Sequence, residues 1–91
     1  MNLNELYEII CDRRDHPTTQ SYTASLFEDG IDKILQKVGE EAIEVILAGK
    51  GQGKQRLIEE VADLTYHTLV LLAASSVTPE EINQELAKRH K

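Results

Sequence analysis

The segment LIEEVADLTYHTLVLLAA, Leu57 to Ala74, is apolar over most of a helical wheel. A helix of that kind needs neighbours on several sides, which restricts the chain to a helical bundle. Its polar exceptions form one narrow strip, Glu60, Asp63 and His67, at spacings of three and four. Leu57, Val61, Leu64, Thr68, Leu71 and Leu72 fill the adjoining side, with Ile58 and Leu69 beyond. Burying an unpartnered carboxylate is expensive. Two acidic residues three apart inside such a helix therefore need a reason.

The rest of the chain reads as helix too. Leu3, Leu6, Tyr7 and Ile10 repeat at i, i+3, i+4, i+7, which predicts an amphipathic helix over about 3–14. RRDHPTTQSY, around Pro17, breaks the period and reads as a loop. SYTASLFEDG is ambiguous, with room for one helical turn ending near Gly30. From Ile31 the period is strong: Ile34, Leu35, Val38, Ala42, Val45 and Ile46 share one side, and Gly49 is the expected stop. GKGQGK, Gly49 to Lys54, is a glycine-rich connector. It is not a P-loop: the spacing is wrong, Gln55 stands where Ser or Thr is required, and no strand precedes it. The opening helix follows over about Gln55–Ser75. TPEE starts a last one, with Thr78 and Glu81 at capping-box spacing and Pro79 at the first helical position. No strand, repeat or second domain is legible, so residues 1–91 are expected to form one all-α domain of four to five helices. One chain can cover only part of the apolar helix around Leu57–Ala74. A second copy is expected to supply the rest, giving a homodimer with a four-helix-like core.

With 16 acidic against 10 basic residues, the net charge is −6, and the chain lacks the broad basic field that nucleic-acid binding needs. An anionic ligand requires a local basic patch or metal ions. The apolar stretch Leu64–Val77 is too short and too interrupted to span a bilayer. The single cysteine, Cys11, can form neither an internal disulfide nor a cysteine zinc site. Together with an N-terminus, MNLNELYEII, that is no signal peptide, this points to the cytoplasm.

The preceding helix repeats the acidic device. Glu41 and Glu44 are three apart and lie beside the apolar stripe, with Lys37 between them in angle, whereas Glu40 and Lys33 turn further toward solvent. A glycine turn joins the two helices, so antiparallel packing faces Glu41 and Glu44 toward Glu60 and Asp63. Four carboxylates converging in a half-buried groove repel one another. Divalent cations remove that penalty, and hard oxygen ligands suit Mg2+ or Mn2+. An E-x-x-E pair on a helix is ordinarily a solvated face, and Glu59 reads as ordinary surface. Glu60 and Asp63 differ because their helix is otherwise apolar. His67 reads as a structural or supporting residue, since oxygen-preferring metals rarely need imidazole. A di-iron bundle wants Glu-x-x-His, but Leu64 stands three before His67, so that motif is absent.

These residues carry a resemblance. E-x-x-E, then 15 residues, then E-x-x-D (Glu41, Glu44, Glu60, Asp63) resembles the metal signature of the all-α nucleoside triphosphate pyrophosphohydrolases. The contexts SYTASLFEDGIDKILQKVGEEAIEVILAGK, LIEEVADLTYHTLVLLA and TPEEINQELAKRH narrow it to the phosphoribosyl-ATP pyrophosphohydrolase family, over about Leu3 to His90. The resemblance implies Mg2+-dependent cleavage of phosphoribosyl-ATP to phosphoribosyl-AMP and pyrophosphate, a step of histidine biosynthesis. By it, Glu41, Glu44, Glu60 and Asp63 are the metal ligands. Glu40, with Glu41, is the candidate for orienting or deprotonating the attacking water. Lys37 is the leading phosphate contact, one turn before Glu41, followed by Lys33, Arg13 and Arg14. Lys50 and Lys54 suit a solvated loop as well as phosphate. Ser21 and Tyr22 resemble the family's substrate-side loop, where turn formation and packing are the plain alternative. Many members are fused to the cyclohydrolase that follows in the pathway. No such domain is present here, so the implied functional partner is a separate phosphoribosyl-AMP cyclohydrolase.

Two other readings compete. A house-cleaning pyrophosphohydrolase of the same superfamily would use the same metal site on free or damaged nucleotides. A non-catalytic helical dimerisation module would use the apolar helix but has no need of four converging carboxylates.

Overall fold

Two long amphipathic segments joined by a glycine turn make the frame of the molecule. The computed structural model describes residues 1–90 as five helices: α1 (Leu3–Asp15), α2 (Tyr22–Asp29), α3 (Ile31–Gly51), α4 (Lys54–Ala74) and α5 (Pro79–Arg89). No strand occurs among the described residues, so the expected all-α class holds. The helix starts follow local chemistry. The side chains of Asn2, Ser21 and Thr78 accept the first-turn N–H groups of Glu5, Ala24 and Glu81. Thr78 and Glu81 complete the expected capping box, with Pro79 in the first turn.

Two boundaries differ from the expectation. SYTASLFEDG forms two full turns, because Ser21 caps it and Leu26 is buried to 1 % exposure. Gly49 does not stop α3. The helix runs on to Gly51, since an interior glycine costs only about 1 kcal/mol relative to alanine. The reversal falls at Gln52 and Gly53. Gly53 has φ +91°, a backbone state that side-chain-bearing residues rarely adopt.

The core sits at the open end of the α3–α4 hairpin. Ile10, Leu26, Ile34, Leu69, Val70 and Ala73 are its buried members, with Leu6, Tyr7, Phe27 and Tyr66 packed against them. The Tyr7 hydroxyl donates to the Val77 carbonyl at 2.8 Å and Arg14 Nη1 donates to the Ala73 carbonyl at 2.9 Å. The two bonds pin α1 to the last turn of α4 and to the α4–α5 connection. The turn end of the hairpin is bare by comparison. Of the apolar side of α3, Ile34 is buried, but Leu35 and Ile46 are 48 % and 68 % exposed. Leu57 and Val61 on α4 are open as well.

Candidate metal centre

The polar strips of α3 and α4 meet in a cleft of about 540 Å³ lined by Lys37, Glu40, Glu41, Glu44, Arg56, Glu60 and Asp63. Side chains at i, i+3 and i+4 share a helix face, so each helix delivers its carboxylates from successive turns. Antiparallel packing then brings the two sets together. Glu41, Glu60 and Asp63 each place a carboxylate oxygen within 4.8 Å of the others. Glu44 lines the same cleft but stands outside that tight trio.

Glu60 is the anomalous member. It is 3 % exposed, whereas Asp63 is open and Glu41 half-buried. Burial raises the Glu60 carboxyl above its ordinary value. Arg56 pulls it back, while Asp63, Glu44 and Glu41 push it further up. Arg56 Nη2 lies 2.8 Å from Glu60 and Nη1 lies 3.1 Å from Glu59. On the other helix, Lys37 Nζ stands 3.5 Å from both Glu40 and Glu41. Burial draws the Lys37 ammonium down, but Tyr22, Glu41 and Glu40 outweigh it, and the net shift is upward. Glu40, exposed at the rim, accepts from Gln36 at 3.0 Å, and that bond, aided by Lys37 and Lys33, lowers its pKa. The donor set fits a hard cation: three carboxylate oxygens in reach of one point, one from a nearly dry side chain.

Near Lys37, outside the cleft lining, stands an aromatic cluster. Tyr22 and Tyr66 stack with centroids 6.4 Å apart, and both meet the His67 ring edge-on. His67 is buried. Its Nδ1 sits 2.8 Å from the Asp63 carbonyl, which can only accept. In the neutral ring the proton is therefore on Nδ1, and Nε2 accepts from the Tyr22 hydroxyl at 3.3 Å.

The remaining basic candidates lie elsewhere. Arg13 pairs with Asp12 at 3.0 Å, and Arg14 is held by Asp15 and Ala73, so neither lines the cleft. Lys33, Lys50 and Lys54 are not among the lining residues either. The Ser21 hydroxyl is engaged as the cap of α2. Glu59 is exposed and faces Arg56 and Gln55, as its angle on the wheel predicts. Arg56 is the lining residue that sequence reasoning passes over. Its signal is plain in retrospect: it stands three before Glu59 and four before Glu60, both ion-pair spacings.

Comparison with known proteins agrees with the geometry. Residues 3–90 match the family model described as phosphoribosyl-ATP pyrophosphohydrolase. A phosphoribosyl-ATP pyrophosphatase of Geotalea daltonii is 53 % identical over 87 residues, covering 96 % of this chain and 82 % of the relative. One from Pelotomaculum thermopropionicum is 54 % identical over 87 residues, covering 96 % and 89 %. The histidine biosynthesis bifunctional protein HisIE of Oceanobacillus iheyensis is 53 % identical over 81 residues, covering 89 % of this chain but only 38 % of that longer protein. A match over nearly every residue, at this identity, shows that the chain belongs to the phosphoribosyl-ATP pyrophosphohydrolase family.

Proposed function

We propose that this protein hydrolyses phosphoribosyl-ATP to phosphoribosyl-AMP and pyrophosphate in the α3–α4 cleft, with Mg2+ or Mn2+ held by Glu41, Glu44, Glu60 and Asp63. The observation that carries this reading is the convergence of Glu41, Glu60 and Asp63 within 4.8 Å, on a chain of this family. Glu44 lines the same cleft and completes the donor set once a cation draws the carboxylates in. The bound ion supplies charge neutralisation, a more acidic water and a grip on the leaving pyrophosphate.

The protein's own groups do the rest. Water attacks one phosphorus of the α–β anhydride; a P–O bond forms to it, the bridging P–O bond breaks, and the water loses a proton. Glu40, at the rim of the cleft and exposed to water, is the proposed acceptor of that proton. Glu41, 3.5 Å from Lys37, would orient the same water while serving as a ligand. Lys37 and Arg56 offset the charge that builds on the phosphoryl oxygens.

Dimerisation belongs to the same reading. Ile43, Ile46, Leu47, Leu57, Ile58 and Val61 leave 36–68 % of their surface open around the turn end of the hairpin. An apolar face of that kind on two long helices suits a second hairpin, which would give the four-helix-like core. A phosphoribosyl-AMP cyclohydrolase is the proposed consumer of the product, since two related proteins are named as bifunctional histidine biosynthesis proteins.

The test is pyrophosphate release from phosphoribosyl-ATP and from a panel of nucleoside triphosphates, with and without Mg2+. Release confined to phosphoribosyl-ATP supports the proposal. Equal release from free nucleotides favours the house-cleaning alternative, and no release from any substrate refutes both.

A further inference from the structure

The two ends of the cleft differ in chemistry. Lys37 and Arg56 each stand one helical turn ahead of an inner carboxylate on their own helix, Glu41 and Glu60. Because α3 and α4 run antiparallel from the Gln52–Gly53 turn, the two cations belong to opposite ends of the hairpin face. At 1.5 Å per residue their backbones are separated by roughly 18 Å along it. The four carboxylates lie between them.

Tyr22 stands close enough to Lys37 to act on its charge, just outside the cleft lining, with Tyr66 and His67 4.9–6.4 Å from one another and from it, centroid to centroid. Tyr22 is 52 % exposed, so one ring remains free to meet a base or sugar. The Arg56 end has no aromatic residue: from Gly39 to Ala62 the chain contains none. It carries Arg56 in the first turn of α4, whose start has no side-chain cap, while Lys50 and Lys54 flank the turn outside the cleft lining. A guanidinium fork suits a compact phosphate anion, and the N–H groups of an uncapped first turn favour negative charge nearby. Aromatic faces suit a base and give a bare polyphosphate nothing.

We infer that the substrate lies along the cleft with one polarity, its nucleoside end against Tyr22 at the Lys37 side and its departing pyrophosphate at Arg56 beside the turn. This rests on the reaction proposed above and adds which end of the site holds which product. Arg56 is then the residue that recognises pyrophosphate, already held at the cleft by Glu60 and Glu59 and with guanidinium donors to spare.

Calorimetric titration of the Mg2+-supplemented protein with pyrophosphate and, separately, with adenosine monophosphate tests the polarity. Arg56→Gln and Tyr22→Leu are the variants; both side chains are about half exposed, and thermal melts verify the fold. Arg56→Gln is expected to weaken pyrophosphate about tenfold or more while changing adenosine monophosphate by less than about twofold. Tyr22→Leu is expected to do the reverse. The opposite pattern, or equal loss of both ligands in each variant, overturns the assignment. Wild-type protein that binds pyrophosphate but no adenosine monophosphate overturns it as well. A wild type that releases no pyrophosphate from phosphoribosyl-ATP sinks the proposed reaction instead, so the two failures are distinguishable.

Discussion

Glu60 holds a nearly dry carboxylate against one arginine and three acidic neighbours. Its burial is why its pKa is raised. The sign follows directly. A carboxyl whose folded pKa lies above the unfolded value stabilises the fold at low pH, and that contribution is lost as pH rises through the folded pKa. In metal-free protein, then, Glu60→Gln should melt above wild type near pH 8 and lose that advantage as pH drops toward 4. Melts of both proteins across that range check it; a gap that widens on acidification contradicts it. With a divalent cation the order should invert. A ligand at a hundredfold excess over its dissociation constant adds about 2.7 kcal/mol to the folded state. For a domain of this size that is roughly 10 °C or more. Wild type should show the rise with Mg2+, and Glu60→Gln and Asp63→Asn should lose most of it. A wild type indifferent to Mg2+ would remove the metal site. Arg56 shows what residue-level reading can overlook. Its pairing is with acidic residues on its own helix, so on the sequence it looks like any solvated i, i+4 pair. Only the packing of α3 on α4 reveals that Glu60 is buried and that the pair borders a cleft.

At the scale of elements, α3 and α4 were legible because their period persists over five turns, long enough for the acidic strip to stand out from the apolar side. The facing of Glu41 against Glu60 and Asp63 followed from a short glycine turn that permits only antiparallel packing. α2 was not legible. Eight residues span too few periods, and its identity rests on the Ser21 cap and on Leu26, whose burial depends on α1 and α3. Leu26→Ala should therefore cost about 2–5 kcal/mol, as for other fully buried large side chains. It should also loosen Tyr22 from His67. Urea unfolding measures the first effect; a loss under about 1 kcal/mol would show α2 to be peripheral. The last helix has only its cap and a small apolar side. Thr78→Ala removes the side-chain half of the capping box, the acceptor of the Glu81 N–H, and should cost about 1 kcal/mol without altering turnover. Leu35, Ile46, Leu57 and Val61 stay open in the single chain, in line with the expectation that one chain covers only part of the apolar side. A helical wheel reports which side is apolar, not whether the same chain has anything left to cover it.

For the whole molecule, the open apolar surface at the turn end, opposite the buried core, is what the proposed dimer would cover. Solution scattering at micromolar concentration should give the mass of two chains, and Ile46→Glu or Ile58→Glu should shift it to one; a monomeric wild type contradicts the dimer. Function rests on the same hairpin. Glu59 and Glu60 are adjacent in sequence, yet one faces solvent beside Arg56 and the other lies buried in the cleft. The account depends on that difference more than on any other pair. The decisive measurement is Mg2+-dependent pyrophosphate release from phosphoribosyl-ATP by purified Glu60→Gln and Glu59→Gln, each verified as helical. Glu60→Gln should lose turnover by orders of magnitude, because a ligand and its charge neutralisation go together. Glu59→Gln should stay near wild type. If Glu60→Gln keeps near-normal turnover while Glu59→Gln loses it, the site lies on another face of α4 and the account is wrong.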